Sequence, residues 1–314
     1  MVRESHREHI RVQRPETRPG AGLTTLLHIS DLHFGPPFQE RVGESLQRFA
    51  HQLEPDAIVA SGDFTQRALP EQFAAARAYL DRLPSVPIVV TPGNHDIALY
   101  RFAERVFHPY DLYREHILPE LDTVTKLPGA TIVALNSTAP LRATVNGRIH
   151  RWQIDFAREA FEDVPDEDAR ILVSHHHFAP PPDWDRVAVM PQAKRALDAF
   201  THFKVDMILG GHLHRAYIGN SLDVYSGADR EHGIIIVQSG TSTSRRGRAR
   251  EREKNSLNVV RVDARHIRVT HYMYFDDVQD FVPTSRHQFF RRGRPALDRQ
   301  GQAEAEAIFR EDHS

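Results

Sequence analysis

Five short segments of the sequence carry side chains that bind metal ions, and each follows an apolar run. They are Asp31-x-His33, Gly62-Asp63, Gly93-Asn94-His95-Asp96, His175-His176-His177 and Gly210-Gly211-His212-Leu213-His214. Imidazole, carboxylate and amide groups are ligands for divalent metals such as Mn, Fe and Zn. In α/β sheets, ligands gather beyond the carboxyl ends of the strands. We therefore expect the five segments to converge on one metal site.

Such a site suits the hydrolysis of a phosphate ester. The oxygens of the ester repel a nucleophile, and two divalent cations neutralise this charge, lower the pKa of a bound water and orient it for in-line attack. One carboxylate can bridge both cations. An Asp-x-His or His-x-His spacing would place two donors on the same side of an extended strand end, because side chains on a strand alternate between its faces.

The elements that would position these segments alternate between strands and helices. The apolar runs predict strands over residues 23–30, 57–61, 87–91, 131–135, 171–174 and 205–209. Helical periodicity predicts helices over residues 38–53, 70–83, 99–118 (broken at Pro109), 152–161 and 193–200. In the helix over 152–161, Trp152, Phe156 and Ala160 lie on one face.

The last part of the chain follows a different pattern, with consecutive strands and no helices between them. These strands are predicted over residues 233–238, 257–262 and 266–274, the last two forming a hairpin. Alternation followed by successive strands is typical of an α/β fold with a mixed sheet.

The length and composition predict one large globular domain with two terminal extensions. The chain has 314 residues, of which 40% are hydrophobic, and we assign residues 23–283 to the domain. Residues 1–22 are rich in Arg, Glu and His and lack the apolar segment of a secretory signal, so we expect a mobile N-terminal arm. Residues 284–314 are polar and charged, and we expect them to form a peripheral C-terminal tail.

The composition also bears on partners and compartment. The chain has no cysteine, which excludes disulfides and thiolate metal sites and fits a cytoplasmic protein. The 40 Lys and Arg residues and 42 Asp and Glu residues give a formal net charge of −2. The overall charge of the protein therefore does not attract nucleic acid or membrane surfaces. No run approaches the roughly 18 apolar residues of a membrane span. We expect a small phosphate-ester substrate, no membrane partner and no nucleic-acid partner.

The five segments, in this order and each after a predicted strand, resemble the signature of the calcineurin-like metallophosphoesterase family, and especially its small bacterial phosphodiesterases. The resemblance covers residues 26–244. It implies an α/β fold of two mixed β-sheets packed face to face and flanked by helices, a four-layer sandwich.

The resemblance also implies a site with two divalent metal ions, which would be Mn, Fe or Zn. The first ion would be held by Asp31, His33, Asp63 and His214. The second would be held by Asp63, Asn94, His175 and His212, with Asp63 bridging both. A hydroxide that bridges the metals would attack phosphorus in line. His95 would orient the phosphate or protonate the leaving alkoxide, and Asp96 would fix the tautomer of His95.

Three segments keep more than one interpretation. The family usually has His-His-Pro where this chain has three histidines, so His175 would be the ligand, while His176 and His177 would line the rim or pack on a neighbour. The arginines of residues 245–250 could grip an anionic substrate or lie in a solvated hairpin loop, which we favour for most of them. Residues 99–118 could cap the pocket or pack on the core.

The function predicted from these residues is hydrolysis of a small phosphodiester, for example a cyclic nucleotide. A phosphomonoesterase or a nucleotide pyrophosphatase of the same family is an alternative. A further alternative is a non-catalytic scaffold on this fold. Scaffolds of this kind usually lack the histidine that follows the asparagine, or several ligands. Here His95 and all seven ligand positions are present, which favours an enzyme.

Overall fold

The computed structural model of the chain describes residues 12–13, 22–98, 101–141, 145–181, 188–225, 233–248, 251–252 and 254–291. Its strands are β1 (Val12–Gln13), β2 (Thr24–Ile29), β3 (Ala57–Ala60), β4 (Ile88–Val90), β5 (Thr123–Leu127), β6 (Ala130–Ala134), β7 (Ala169–Val173), β8 (Met207–Gly210), β9 (Tyr217–Asn220), β10 (Ile235–Gln238), β11 (Ser256–Val262), β12 (His266–Phe275) and β13 (Asp280–Phe290). Its helices are α1 (Glu40–Leu53), α2 (Pro70–Leu80), α3 (Phe102–Phe107), α4 (Asp111–His116), α5 (Arg151–Glu162) and α6 (Ala193–His202).

The strands form two mixed sheets. One has the order β1-β5-β6-β7-β8-β10-β9, in which β6, β7, β8 and β10 are parallel. The other has the order β13-β12-β11-β2-β3-β4, in which β2, β3 and β4 are parallel and β11 to β13 are antiparallel. The parallel strands of both sheets carry the predicted metal-binding segments at their carboxyl ends.

Three clusters of buried side chains hold the layers together. Between the sheets, Leu26 and Val59 of one sheet belong to the same cluster as Ile171 and Leu209 of the other. The next residue of β2, Leu27, belongs to the cluster formed with helices α1, α2 and α4, because successive side chains of a strand point to opposite faces. Helices α5 and α6 cover the outer face of the first sheet. The predicted four-layer sandwich is confirmed.

Most helices begin and end close to their predicted bounds. Pro70 is the first residue of α2, where its missing N–H costs nothing. Helix α1 begins two residues later than predicted, because Phe38 forms a β-bridge with Ser244. The face of α5 that carries Trp152 is not its most buried face. Trp152 is 52% exposed, and the buried residues of this helix are Gln153, Ala157 and Phe161.

Four strands of the described residues were not predicted from the sequence, namely β1, β5, β9 and β13. Strand β13 runs to Phe290, so the sheet extends past residue 283, where the sequence placed the end of the domain. Most of its side chains are exposed, and a polar edge strand of this kind lacks an apolar pattern. Strand β1 lies inside the predicted N-terminal arm and pairs with β5. The remainder of that arm, and residues 292–314 of the predicted tail, lie outside the described residues.

None of the helices in the described part of the chain is long and apolar enough to cross a membrane.

Candidate metal centre

The loops that follow β2, β3, β4, β7 and β8 meet at one edge of the two sheets. Backbone hydrogen bonds join them. Asp31 N donates to Gly62 O and His33 N donates to Asp63 O, both at 3.0 Å, and Gly211 N donates to His175 O at 3.1 Å. All seven residues that the sequence predicts as metal ligands lie at this edge.

A first group of donors consists of Asp31, His33, Asp63 and His214. One ligand atom from each lies within 4.8 Å of the others. His214 Nε2 is 3.0 Å from His33 Nε2 and 3.2 Å from Asp31 Oδ1. His33 Nε2 is 3.7 Å from Asp63 Oδ2. All four side chains are buried.

A second group of donors lies on the other side of Asp63. Asn94 Oδ1 is 2.9 Å from His212 Nδ1 and 3.3 Å from His175 Nε2. His175 Nε2 is in turn 3.5 Å from Asp63 Oδ2. The same carboxylate oxygen therefore neighbours a nitrogen from each group, which is where a bridging ligand has to lie.

The chemistry of these donors fits cations. Asp31 Oδ1 and Asp63 Oδ2 are buried and have no hydrogen-bond donor, an arrangement that costs free energy unless a cation or donor compensates it. His175 Nδ1 lies 2.8 Å from Ser61 O, and His214 Nδ1 lies 3.2 Å from Arg246 O. A ring that donates from Nδ1 in this way keeps the lone pair of Nε2 for a metal.

The electrostatics keep both carboxylates ionised. Burial by itself would raise the pKa of Asp63, but His175 and His95 hold that pKa well below its ordinary value. Burial would likewise raise the pKa of Asp31, whereas His214 and His33 hold it below its ordinary value. Ionised carboxylates are the form that binds a divalent cation.

The backbone at the ligands is not extended, contrary to the strand geometry expected for the Asp-x-His and His-x-His spacings. Five predicted ligands have positive φ, namely Asp31, His33, Asp63, His212 and His214, with values of 50–74°. The left-handed conformation costs of order 1 kcal/mol or more for a residue other than glycine. The strands end before the ligands, and turns rather than strand alternation aim the donors inward.

His95 lies beside the first group, with its ring centroid 4.9 Å from that of His33. Its backbone N donates to Asp63 Oδ1 at 2.7 Å. Its Nδ1 is 2.8 Å from Gln66 O, and Nε2 is 3.2 Å from Arg246 Nη1. The carbonyl of Gln66 therefore fixes the tautomer with the proton on Nδ1, and Nε2 is the acceptor.

The role predicted for Asp96 needs correction. Its carboxylate does not hold the His95 ring and accepts instead from Gly93 N, Phe64 N, Thr65 N and the Thr65 hydroxyl, at 2.9–3.1 Å. These donors belong to the loops after β3 and β4. Asp96 therefore joins the two loops. Its carboxylate oxygens are engaged by these four donors and not by the imidazole of the preceding residue, His95.

The other two histidines of the triplet are buried, at 0% and 1% exposure, and pack on a neighbour. The His177 ring stacks on His212, with centroids 5.7 Å apart. His176 Nδ1 is 2.8 Å from Ser137 Oγ, and its Nε2 has no hydrogen-bond partner. His176 can also contribute a nitrogen within 4.8 Å of ligand atoms of His175 and His212.

In the segment over 99–118, α4 packs on the core, which is one of the two interpretations. Tyr113 of α4 is fully buried near Phe64, whereas α3 has no buried residue and exposes Phe102 and Phe107. Residues 99–100 lie outside the described residues.

Sequence reasoning missed Gln66 and assigned no firm role to Arg246. A single glutamine in a loop carries no local signal, and the contact between Arg246 and His95 joins residues 151 positions apart.

Comparison with known proteins gives one family. A family model described as calcineurin-like phosphoesterase matches residues 24–216. A probable cyclic nucleotide phosphodiesterase of Rhodococcus erythropolis is 28% identical over 204 residues, which cover 60% of this chain and 64% of that relative. A cAMP/cGMP dual specificity phosphodiesterase of Mycobacterium tuberculosis is 26% identical over 234 residues, covering 69% of this chain and 71% of the relative.

Solved structures share the fold at low sequence identity. A purple acid phosphatase from yellow lupin (Lupinus luteus) superposes with a TM-score of 0.66 and 13% identity, over 87% of this chain and 54% of that chain. A dimetal phosphatase from Danio rerio superposes with a TM-score of 0.58 and 10% identity, over 85% of this chain and 99% of that chain. At these identities the likeness concerns the fold alone.

Proposed function

The chain belongs to the calcineurin-like phosphoesterase family, and we propose that it is a metal-dependent hydrolase of a small phosphodiester. The observation that supports this most directly is the position of Asp63. Its Oδ2 is buried, lacks a hydrogen-bond donor and lies 3.7 Å from His33 Nε2 and 3.5 Å from His175 Nε2. One shared carboxylate between two groups of donors is the arrangement that a pair of cations requires.

In this proposal, Asp31, His33, Asp63 and His214 would hold one divalent ion, and Asn94, His175 and His212, together with Asp63, would hold another. When bound, two such ions neutralise the charge of the phosphoryl group and lower the pKa of a water that attacks it. Asp63 keeps its position because His95 N holds Oδ1, which leaves Oδ2 directed between the groups. The carbonyls of Ser61 and Arg246 keep the rings of His175 and His214 turned inward.

We propose His95 as the residue that protonates the leaving group. Since Gln66 O accepts the proton on Nδ1, Nε2 is the atom that faces a substrate. In the structure Nε2 accepts from Arg246, so in this proposal it first takes up a proton. The protonated ring then donates to the leaving alkoxide as the P–O bond breaks, and the group departs as a neutral alcohol. Asp96 contributes by holding together the loops that carry Asp63 and His95.

Cyclic nucleotides are the substrates we propose first. The relatives in Rhodococcus and Mycobacterium are described as cyclic nucleotide phosphodiesterases, and the match spans 64% of the first relative's length. A cyclic phosphodiester presents one anionic phosphoryl group and a leaving alkoxide that stays tethered to the product. Both features suit a site with one phosphoryl position and one acid.

The test uses metal-stripped protein, reconstituted with Mn²⁺, Fe²⁺ or Zn²⁺. Hydrolysis of bis(p-nitrophenyl) phosphate and of 3′,5′-cyclic AMP is measured beside that of p-nitrophenyl phosphate, in wild type and Asp63→Asn. Asp155→Asn, an exposed aspartate of α5, is the matched control. We expect metal-dependent cleavage of the diesters, lost in Asp63→Asn and kept in Asp155→Asn. Faster cleavage of the monoester than of either diester would contradict the proposed substrate class. No turnover with any metal would contradict hydrolysis itself.

A further inference from the structure

Arg246 lies in the loop between β10 and β11 and reaches two parts of the candidate metal centre. Its backbone carbonyl is 3.2 Å from His214 Nδ1. Its Nη1 donates to His95 Nε2 at 3.2 Å and to Gln66 Oε1 at 2.9 Å. The residue thus supports a proposed ligand through its backbone and contacts the proposed acid through its side chain.

The loop around Arg246 is fixed by hydrogen bonds on both sides. Arg245 N donates to Pro37 O, and Arg248 N donates to His214 O, both at 2.9 Å. Glu251 is buried and accepts from Ala216 N and Ser256 Oγ at 2.6 Å. The side chains of Arg245 and Arg248 are exposed, as the interpretation favoured from the sequence requires. Residues 249–250 lie outside the described residues.

Gln66 Oε1 and His95 Nε2, which accept from Arg246 Nη1, are both weaker acceptors than a phosphoryl oxygen. One is an amide oxygen, and the other is an imidazole nitrogen that is neutral because its lone pair accepts the bond. Hydrogen bonds between a guanidinium and an anionic oxygen are roughly twice as strong as neutral ones. A phosphoryl group in contact with His95 Nε2 would lie within reach of the guanidinium, whose fork of five N–H donors matches phosphate.

We infer that Arg246 is a substrate-binding residue that donates to a non-bridging oxygen of the phosphoryl group. Gln66 is a positioning residue, since its backbone carbonyl holds His95 and its side chain holds Arg246. This inference rests on the proposed function for the identity of the anion. It adds a cationic contact to the phosphoryl group that the metal ligands and His95 do not supply.

The test measures the binding of orthophosphate to the Mn²⁺-saturated protein by titration calorimetry. Arg246→Gln removes the charge, and we expect orthophosphate to bind about 10- to 100-fold more weakly, the loss typical of one hydrogen bond to a charged group. Arg246→Lys keeps the charge without the fork and should recover part of the affinity. Arg245→Gln, an exposed neighbour on the same loop, should bind within about twofold of wild type.

The positioning role of Gln66 is tested by a double-mutant cycle. Gln66→Leu should weaken orthophosphate binding, and adding it to Arg246→Gln should weaken binding little further, because both changes remove one contact. Strictly additive effects would refute the positioning role. The Mn²⁺ content of every variant is measured as well, and equal content shows that the metal centre is intact.

The inference is overturned if Arg246→Gln binds orthophosphate within twofold of wild type, or if wild type binds none. Because binding requires no turnover, this outcome is separate from that of the proposed function. A protein that binds orthophosphate through Arg246 and cleaves no ester would contradict the hydrolase proposal alone.

Discussion

Gly93 has no side chain, and the structure predicts that a single added methyl group there disables the metal centre. A Cβ at this position would lie 2.8 Å from Asp63 Cγ and nearer still to Asp63 Oδ1 and N. Ordinary contact begins at 3.4 Å, so Cγ alone would have to move by about 0.6 Å, and Oδ1 by more. Gly93 has φ −100°, which alanine adopts without strain, so the effect of Gly93→Ala is steric.

The Asp63 carboxylate has little freedom to move, because His95 N holds Oδ1 and both donor groups surround Oδ2. Functional groups must be held within about 0.5 Å of the productive geometry, and a 1 Å error can cost about 100-fold in rate. We therefore expect Gly93→Ala to lose roughly 10- to 100-fold in diester hydrolysis and to retain less metal, with a stability cost of about 1–3 kcal/mol.

The assay combines metal content after dialysis, hydrolysis of bis(p-nitrophenyl) phosphate and thermal unfolding. Gly219→Ala is the control, since a Cβ there would find its nearest neighbour, Tyr217 Cε2, at 3.9 Å. It should match wild type in metal content and rate. If Gly93→Ala retains two metals per chain and the wild-type rate, the Asp63 carboxylate is not the fixed bridging group that we describe.

Three further predictions concern stability. Arg291 is buried and donates to Asp168 O at 2.7 Å and to Asp263 O at 3.2 Å, beside the Asp206 carboxylate. Arg291→Ala should lower the free energy of unfolding, measured by urea denaturation, by about 3 kcal/mol, because it leaves the charge of Asp206 uncompensated. A loss under about 0.5 kcal/mol, typical of surface substitutions, would contradict this stabilising role of Arg291. Burial raises the pKa of Asp122 to about 6, so the stability linked to its bound proton is present below the unfolded pKa of about 3.9 and is lost as pH rises through 6. Asp122→Asn removes the ionisable group, so the free energy of unfolding of the variant relative to wild type should rise by up to about 3 kcal/mol from pH 4 to pH 8. The same difference between variant and wild type at both pH values would contradict the raised pKa of Asp122. Metal removal by EDTA should lower the Tm, because a ligand at 100 times its Kd contributes about 2.7 kcal/mol, and an unchanged Tm would contradict a metal bound in the fold.

Much of the site was predictable because its signal is local. Each proposed ligand follows a short apolar strand, and the carboxyl ends of parallel strands meet at one edge of a sheet. Asp31 and Asp63 could be proposed on that basis before any contact was known, whereas the choice of His175 within its triplet came from the family resemblance. The same reasoning applies to the order of strands and helices, since apolar periodicity decides which face of each element is buried.

The features that were not predictable depend on contacts between distant segments. Arg246 reaches His95 only after the chain has crossed from β4 to the loop after β10. The backbone oxygen of Gln66 accepts from His95, and its side-chain oxygen accepts from Arg246. Neither hydrogen bond can be inferred from residue composition or spacing. The positive φ of His212 and His214 likewise follows from how the loops meet. Strand β13 escaped prediction because an exposed edge strand has no buried face to impose a pattern.

The most direct test of the central claim is a crystal structure of the protein grown with Mn²⁺, with anomalous diffraction data collected at the Mn absorption edge. We predict two anomalous peaks, roughly 3.5–4 Å apart as in other two-metal sites. One should contact Asp31, His33 and His214, the other should contact Asn94, His175 and His212, and Asp63 Oδ2 should lie between them. A single peak, or peaks remote from Asp63, would contradict the binuclear centre and the mechanism built on it.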